Sequence, residues 1–249
     1  MASLSDTPIT PPKIILYGEG GVGKTCFVAT YGEGLQLIDC NRGLLSAKTL
    51  KDKWTAERHK IDVVSCYESD PKRATAWGIL KKTVLQIYED CLKGIYPHKV
   101  LAIDSLTDVA EYALRGICGN SGSLGQPEKV TQAQWGLAIA EVYNLFVYLR
   151  ALPIPVVITA HTMIVTIGTG KDAVTRQVLS IYGKNLAPNL INLFDEVDYV
   201  KTRIVQGKPE PYLQTMKDAF VQAKTRSQLV DGTKLDIGFR EYMKLLGWK

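Results

Sequence analysis

No stretch of this chain stays apolar for the roughly twenty residues that a bilayer-crossing helix needs, which excludes a helical integral membrane protein. Cysteine is sparse and scattered. Cys26, Cys40, Cys66, Cys91 and Cys118 form no C-x-x-C pair, and none is spaced with His59, His98 or His161 as zinc ligands are. A zinc module and a disulfide scaffold are thereby excluded, and the thiols read as small buried residues in a reducing compartment. No internal repeat or low-complexity tract is present. The excess charge is small, +5, which permits contact with nucleic acid but does not demand it. Met1 to Pro12 is polar and carries prolines, unlike a secretory signal, so the expected location is the cytoplasm. What remains is a 249-residue chain, 46% hydrophobic, enough for one large α/β domain that needs neither disulfide nor metal to hold its core.

The chain is organised around one stretch, Tyr17 to Thr25. Gly18, Glu19, Gly20, Gly21, Val22, Gly23, Lys24, Thr25 and Cys26 follow the apolar run Ile14-Ile15-Leu16 and open a short helical segment. Gly18, Gly23, Lys24 and Thr25 fit G-x-x-x-x-G-K-[ST], the Walker A loop that cradles phosphates with backbone N–H groups. In that pattern Lys24 reaches the outer phosphates and the Thr25 hydroxyl holds Mg²⁺. A second reading shares the glycines. Gly18, Gly20 and Gly23 also spell G-x-G-x-x-G, with Asp39 near the distance of a ribose-binding acid, as in a dinucleotide fold serving an NAD(P)-dependent oxidoreductase. Lys24-Thr25 argues against that reading, because such a helix turns small or apolar residues onto the sheet there.

Farther along, Leu35 to Asp39 reads as a strand and Asn41 to Lys60 as a polar surface connection with a short helix. Ile61 to Cys66 is another apolar run. Asp70-Pro71 predicts the start of a helix that carries Trp77, Leu80, Val84, Ile87 and Leu92 on one face as core positions and ends near Gly94. Val100 to Ser105 is the second decisive element. Its continuous apolar run is that of a strand buried on both faces, and it ends in Asp104, where open α/β sheets bind ligands. Asp104 there can hold Mg²⁺ through water, although an acid at this place can also simply cap the following helix, Leu106 to Arg115.

Gly116 to Gln126 is glycine-rich and reads as a mobile loop. Val130 to Leu152 has helical periodicity, and Val156 to Thr159 is a further buried strand leading to His161. A second mobile stretch follows, with Lys171, Arg176 and Lys184. Neither stretch is rich in the aromatics that mark single-strand binders. Glu196 to Val205 and Pro211 to Met216 alternate as a hairpin, and a helix from Phe239 to Leu246 closes the chain. Strands alternating with helices predict an α/β fold, a mostly parallel, doubly wound sheet with an antiparallel edge hairpin.

With these motifs placed, the chain resembles the RecA-like P-loop ATPases. It is most similar to the short phage nucleotide-binding ATPases that include the Sak-type single-strand-annealing recombinases. The resemblance rests on Gly18 to Thr25, on Ile103-Asp104-Ser105, on Thr159-Ala160-His161, on the run from Asn189 to Val200, and on Lys224-Thr225-Arg226. It implies a flexible segment over 1–11, an ATP-binding core over 12–235 and a C-terminal helix over 236–249. His161 takes the place of a polar sensor of the γ-phosphate. Lys224 and Arg226 match a K-x-R pair that reaches the nucleotide of a neighbouring subunit. Lys171, Arg176 and Lys184 fall where such proteins contact DNA. The implied cofactors are ATP and Mg²⁺. The implied partners are single-stranded DNA, further copies of the chain in a ring or filament, and a single-stranded-DNA-binding protein, in host cytoplasm if the chain is phage-encoded.

One position departs from the pattern. Where the resemblance implies a glutamate that activates the attacking water, two residues past Asp39, this chain has Asn41. An amide orients water but accepts no proton. The sequence therefore supports three functions: a RecA-type ATPase that promotes annealing or strand exchange, an ATP-switched DNA-binding module with little turnover, and, behind these, the oxidoreductase. Glu19 replaces the lysine of partition-type ATPases and argues against that class.

Overall fold

The computed structural model describes residues 10–70, 72–120, 130–167, 173–181 and 186–248. In chain order the elements are β1 (Lys13–Gly18), α1 (Lys24–Ala29), β2 (Leu35–Asp39), α2 (Leu45–Thr49), α3 (Thr55–Arg58), β3 (Asp62–Ser65), α4 (Ala76–Leu92) and β4 (Val100–Asp104). Then come α5 (Leu106–Asn120), α6 (Gln132–Ala151), β5 (Val156–Ile167), β6 (Val174–Leu179), α7 (Leu186–Leu193), β7 (Glu196–Val205), β8 (Lys208–Gln214) and α8 (Phe239–Leu245).

The sheet runs β3-β2-β4-β5-β1-β7-β8, with β6 paired to β5 off this path. From β3 to β7 every neighbour pair is parallel. β8 is antiparallel to β7 and β6 to the second half of β5. This is the expected fold class. The central strands are apolar throughout because both faces are covered. Ile15, Tyr17, Leu101, Ile103, Val156 and Ile158 face a core built with α4, α5, α6 and α7. Ile14, Leu16, Leu35, Leu37, Ala102 and Val157 face α1 and α8. The C-terminal helix is part of that second layer: Phe239 and Tyr242 pack on Phe27 at ring separations of 5.3 and 5.7 Å.

Several elements differ from their expected form. α4 starts at Ala76, because the Glu68 carboxylate accepts the Thr75 and Ala76 backbone N–H groups and so caps the helix from outside it. Pro71 lies outside the described residues, and Leu92, expected on the core face, is 69% exposed because it is the last residue of α4, past the packed part of the helix. α5 runs on through Gly116 and Gly119 where a loop was expected; a Cβ on Gly116 would stand 3.1 Å from Trp77, so this glycine lets two helices approach. The rest of that expected loop, 121–126, lies outside the described residues. Part of the second expected mobile stretch is a strand, β6, held by six register pairs to β5.

Candidate nucleotide site

Parallel strands bring their carboxyl ends to one edge of the sheet. Register fixes the meeting: Gly18 stands beside His161, Asp39 beside Asp104, and Ile103 beside Ile158. A cavity of about 600 Å³ opens there, lined by Gly21, Lys24, Thr25, Asn41, Asp104 and His161, with Ser46, Thr49 and Lys51 on the other side. The glycine loop, the strand-end acid, the asparagine and the histidine singled out in the sequence thus share one cavity.

The loop has the backbone its composition demands. Gly21 and Gly23 have φ of 80° and 95°, a region costly for any residue with a Cβ. Gly18 meets a different constraint: a Cβ there would stand 2.6 Å from the Val200 carbonyl oxygen on β7. Lys24 is buried, and its ammonium donates to the Gly18 and Glu19 carbonyls at 2.9 and 2.7 Å. Burial pulls its pKa down to about 8, against the opposing pull of Asp104 and Glu19.

Asp104 is buried and gathers hydroxyls. Thr25 donates to its Oδ2 at 2.6 Å, and Thr159 donates to its Oδ1. Thr159 was not singled out by side chain in the sequence, where attention went to His161, two residues on. Its partner lies on a neighbouring strand, so no local pattern shows the contact. Asp104 and Ser105 are joined by a cis peptide bond. Ser105 in turn donates to Asp108, an acid whose pKa burial raises, offset by that hydroxyl and by His161. Among the described residues these hydroxyls, not a helix N-terminus alone, use the Asp104 carboxylate, which the capping alternative would not require.

Asn41 is held in a turn. Its Oδ1 accepts the Gly43 N–H at 2.6 Å. The Asp39 carboxylate accepts the Asn41 and Gly43 N–H groups at 3.3 and 3.4 Å, and its pKa is raised by burial against those bonds. Asp39, 4% exposed, is thus turned into its own loop through Oδ1, which places it poorly for the ribose contact that a dinucleotide site needs. The oxidoreductase reading is not favoured. Cys26 lines the cavity too, and burial pushes its thiol up, away from the reactive thiolate.

The wall opposite the loop comes from 41–58, read in the sequence only as a surface connection. Arg58, 3% exposed, ties it together, donating to the Ala47 carbonyl at 3.1 Å, the Leu50 carbonyl at 2.7 Å and the Asp52 carboxylate at 2.8 Å. A knot of side chain to backbone has no periodicity to betray it.

The remaining singled-out residues lie elsewhere. Lys224 bridges Val197 near the amino end of β7, and its ammonium donates to the Ile191 and Phe194 carbonyls at 3.1 and 2.6 Å. Arg226 pairs with Asp195 at 2.6 Å. Both are thus engaged within their own chain, at the end of the sheet away from the glycine loop. Arg176, on β6, donates to the Ala219 carbonyl at 2.8 Å. Lys171 and Lys184 lie outside the described residues. Among the described residues no helix is long and apolar enough to cross a membrane.

Comparison with known proteins agrees with this geometry. A search of curated proteins finds no match. A family model described as an AAA domain matches residues 10–227, from just before β1 through Arg226 and so across the glycine loop, Asn41, Asp104 and His161. The mostly parallel sheet, the Walker A loop at the end of β1 and this match over most of the length agree: the chain belongs to the AAA domain family of nucleotide-binding P-loop ATPases.

Proposed function

We propose that this protein binds ATP with Mg²⁺ in the cavity between the glycine loop and Asp104, hydrolyses it slowly, and uses it to control assembly on single-stranded DNA. There it promotes annealing or strand exchange. The observation that carries the nucleotide part is the 2.6 Å contact of the Thr25 hydroxyl with the Asp104 carboxylate, with Lys24 buried in the same cavity. The donor set is a hydroxyl and a carboxylate, oxygens only, which suits Mg²⁺. Among the described residues no group of three His, Cys, Asp or Glu side chains makes a metal cage, so Thr25 and Asp104 would hold the ion together with phosphate oxygens and water. When bound, the ion neutralises phosphate charge.

The chain's own residues do the rest. Lys24 exchanges two neutral carbonyls for phosphate oxygens, which are stronger acceptors. Thr159 fixes the rotamer of Asp104. His161, midway along β5 where its pairing passes from β1 to β6, lines the cavity where the outer phosphates would sit. Asn41 orients water but takes no proton, and its acceptor oxygen already serves Gly43. Asp39 accepts donors of its own loop, and Asp108, in the first turn of α5, accepts the Ser105 hydroxyl. With an amide at position 41 in place of a carboxylate, the site lacks the base expected at that position, which supports slow hydrolysis; Glu19, in the glycine loop, is the acid that could replace it.

The DNA part is supported by the resemblance and by the β5–β6 hairpin, which continues past His161 and carries Arg176 with exposed Met163 and Ile164. Lys171 and Lys184 complete the proposed contact set. Side-by-side copies, in a ring or filament, bring Lys224 and Arg226 to the neighbour's nucleotide, and a single-stranded-DNA-binding protein is a further partner. The test is ATP binding, ATP turnover and DNA binding measured together, with and without single-stranded DNA. Nucleotide binding with no DNA affinity at low salt leaves an ATPase of another purpose. If DNA binds, each lost phosphate contact lowers the salt slope by about 0.7. A triple alanine variant of Lys171, Arg176 and Lys184 with an unaltered slope refutes that contact set.

A further inference from the structure

Beside the phosphate cavity lies a second one, of about 480 Å³, whose lining includes Phe27, Leu50, Trp54, Pro211 and Leu235. Gly23, Cys26 and Leu50 line both, so the two adjoin at the start of α1. Their characters differ. The first gathers charge; the second is walled by apolar side chains, its buried polar groups are already taken, and its remaining charged groups, Lys53 and Asp236, are exposed to water. Asp52 accepts from Arg58 and from the Trp54 backbone N–H, each at 2.8 Å. The Thr30 hydroxyl donates to the Phe27 carbonyl at 2.6 Å and accepts the Phe239 N–H at 2.7 Å. The Trp54 indole N–H donates to the Asp236 carbonyl at 3.2 Å. The indole itself is fixed: a Cβ on Gly238 would stand 2.6 Å from it, and the Lys53 ammonium lies 5.3 Å from its ring centre.

We infer that this cavity holds the nucleoside part of the triphosphate, and holds it by contact with Trp54 and its apolar neighbours, not by reading the hydrogen-bonding edge of the base. The inference rests on the nucleotide reading of the adjoining cavity. A nucleobase has an apolar face and a polar rim. Walls of this kind offer the face a fixed aromatic and leave the rim to water. Strong discrimination comes from buried donors and acceptors that the wrong ligand leaves unpaired, and here those groups are paired within the protein. Adenine and guanine nucleotides are therefore held with similar strength.

Titration calorimetry with ATP, GTP and inorganic tripolyphosphate tests this on the wild type and on Trp54→Ala, Trp54→Phe and Lys24→Ala. ATP and GTP are expected to bind within about fivefold of each other. Trp54→Ala weakens both by about tenfold or more, the range of base–aromatic contacts, and leaves tripolyphosphate unchanged. Trp54→Phe recovers most of the loss, and Lys24→Ala loses all three ligands. Unchanged ATP affinity in Trp54→Ala, an equal loss of tripolyphosphate, or a wild-type preference between ATP and GTP beyond a hundredfold overturns the inference. Should Trp54→Ala fail to fold, fluorescence decides. ATP but not tripolyphosphate changes the tryptophan emission of the wild type, and Trp54→Phe removes the change; its persistence there overturns the inference. A wild type that binds none of the three overturns the nucleotide reading itself, and this inference with it. Tripolyphosphate bound as tightly as ATP overturns the inference alone.

Discussion

Lys13, at the amino end of β1, and Lys24, just past its carboxyl end, are 4% and 6% exposed. Each ammonium donates to two backbone carbonyls, Leu152 and Ile154 for Lys13, Gly18 and Glu19 for Lys24. Burial pulls each pKa down to about 8. By burial and titration alone the two are twins. Their neighbours separate them. Around Lys13 the charged groups are tied to one another: Asp195 accepts the Lys13 backbone N–H at 2.9 Å and the Arg226 guanidinium at 2.6 Å. Around Lys24, Asp104, His161 and Asn41 converge on a cavity of about 600 Å³. A buried lysine with a lowered pKa is thus no mark of function; convergence on a space of ligand size is.

The largest expected difference is in nucleotide binding. Lys24→Ala weakens ATP by at least about a hundredfold, as loss of a buried charge partner does, with the circular-dichroism spectrum unchanged. Lys13→Met leaves ATP affinity within about threefold. Calorimetry on both variants checks the pair, and an equal loss in Lys13→Met would erase the contrast between the two ends.

Next comes the acid. Asp104→Asn keeps the shape of the side chain and removes its charge, and should weaken Mg²⁺-dependent ATP binding about tenfold to a hundredfold. A Mg²⁺ titration identical to the wild type would reduce Asp104 to an acceptor for Thr25 and Thr159.

Asn41 sharpens the comparison on the catalytic side. Asn41→Asp keeps an oxygen for the Gly43 N–H and adds a proton acceptor, so single-turnover hydrolysis should rise about tenfold or more with little change in ATP affinity. Fast hydrolysis by the wild type, lost in Asp39→Asn or Glu19→Gln, would show that another acid already does this work.

The smallest effect is in pH dependence, and there the twins should behave alike again. Both folded pKa values lie below the unfolded value of 10.5, so between about pH 8 and 10.5 the folded protein binds fewer protons and each lysine adds stability as pH rises. Each Lys→Met variant should lack its share, on the order of 1 kcal/mol per pH unit, in denaturant unfolding compared with the wild type between pH 8 and 9.5. ATP affinity should instead fall a few-fold as pH rises through about 8, and should do so in Lys13→Met but not in Lys24→Met.

The glycine loop and the strand ending in Asp104 were legible in the sequence because each is a short local pattern whose chemistry depends on spacing. The sheet was legible for the same reason, as apolar runs separated by helical ones. The wall from Asn41 to Arg58 was not, since its order comes from Arg58 reaching back to the Ala47 and Leu50 carbonyls. Thr159 was hidden because its partner sits a strand away. Gly116 was misread because a glycine that admits a neighbouring helix is the same letter as one that breaks a loop open.

The outer face of β8 has a consequence for any larger structure. The Leu213 N–H points away from β7 and is taken by the Thr233 carbonyl at 2.8 Å. Residues 209 and 211 share that orientation, and both are proline, with no N–H to offer. At the other margin β3 has only four residues. Among the described residues these two margins of the sheet path are therefore poor templates for a strand added from another copy. The assembly proposed above would, at these margins, rest on contacts between side chains, which can loosen or tilt while each copy stays folded.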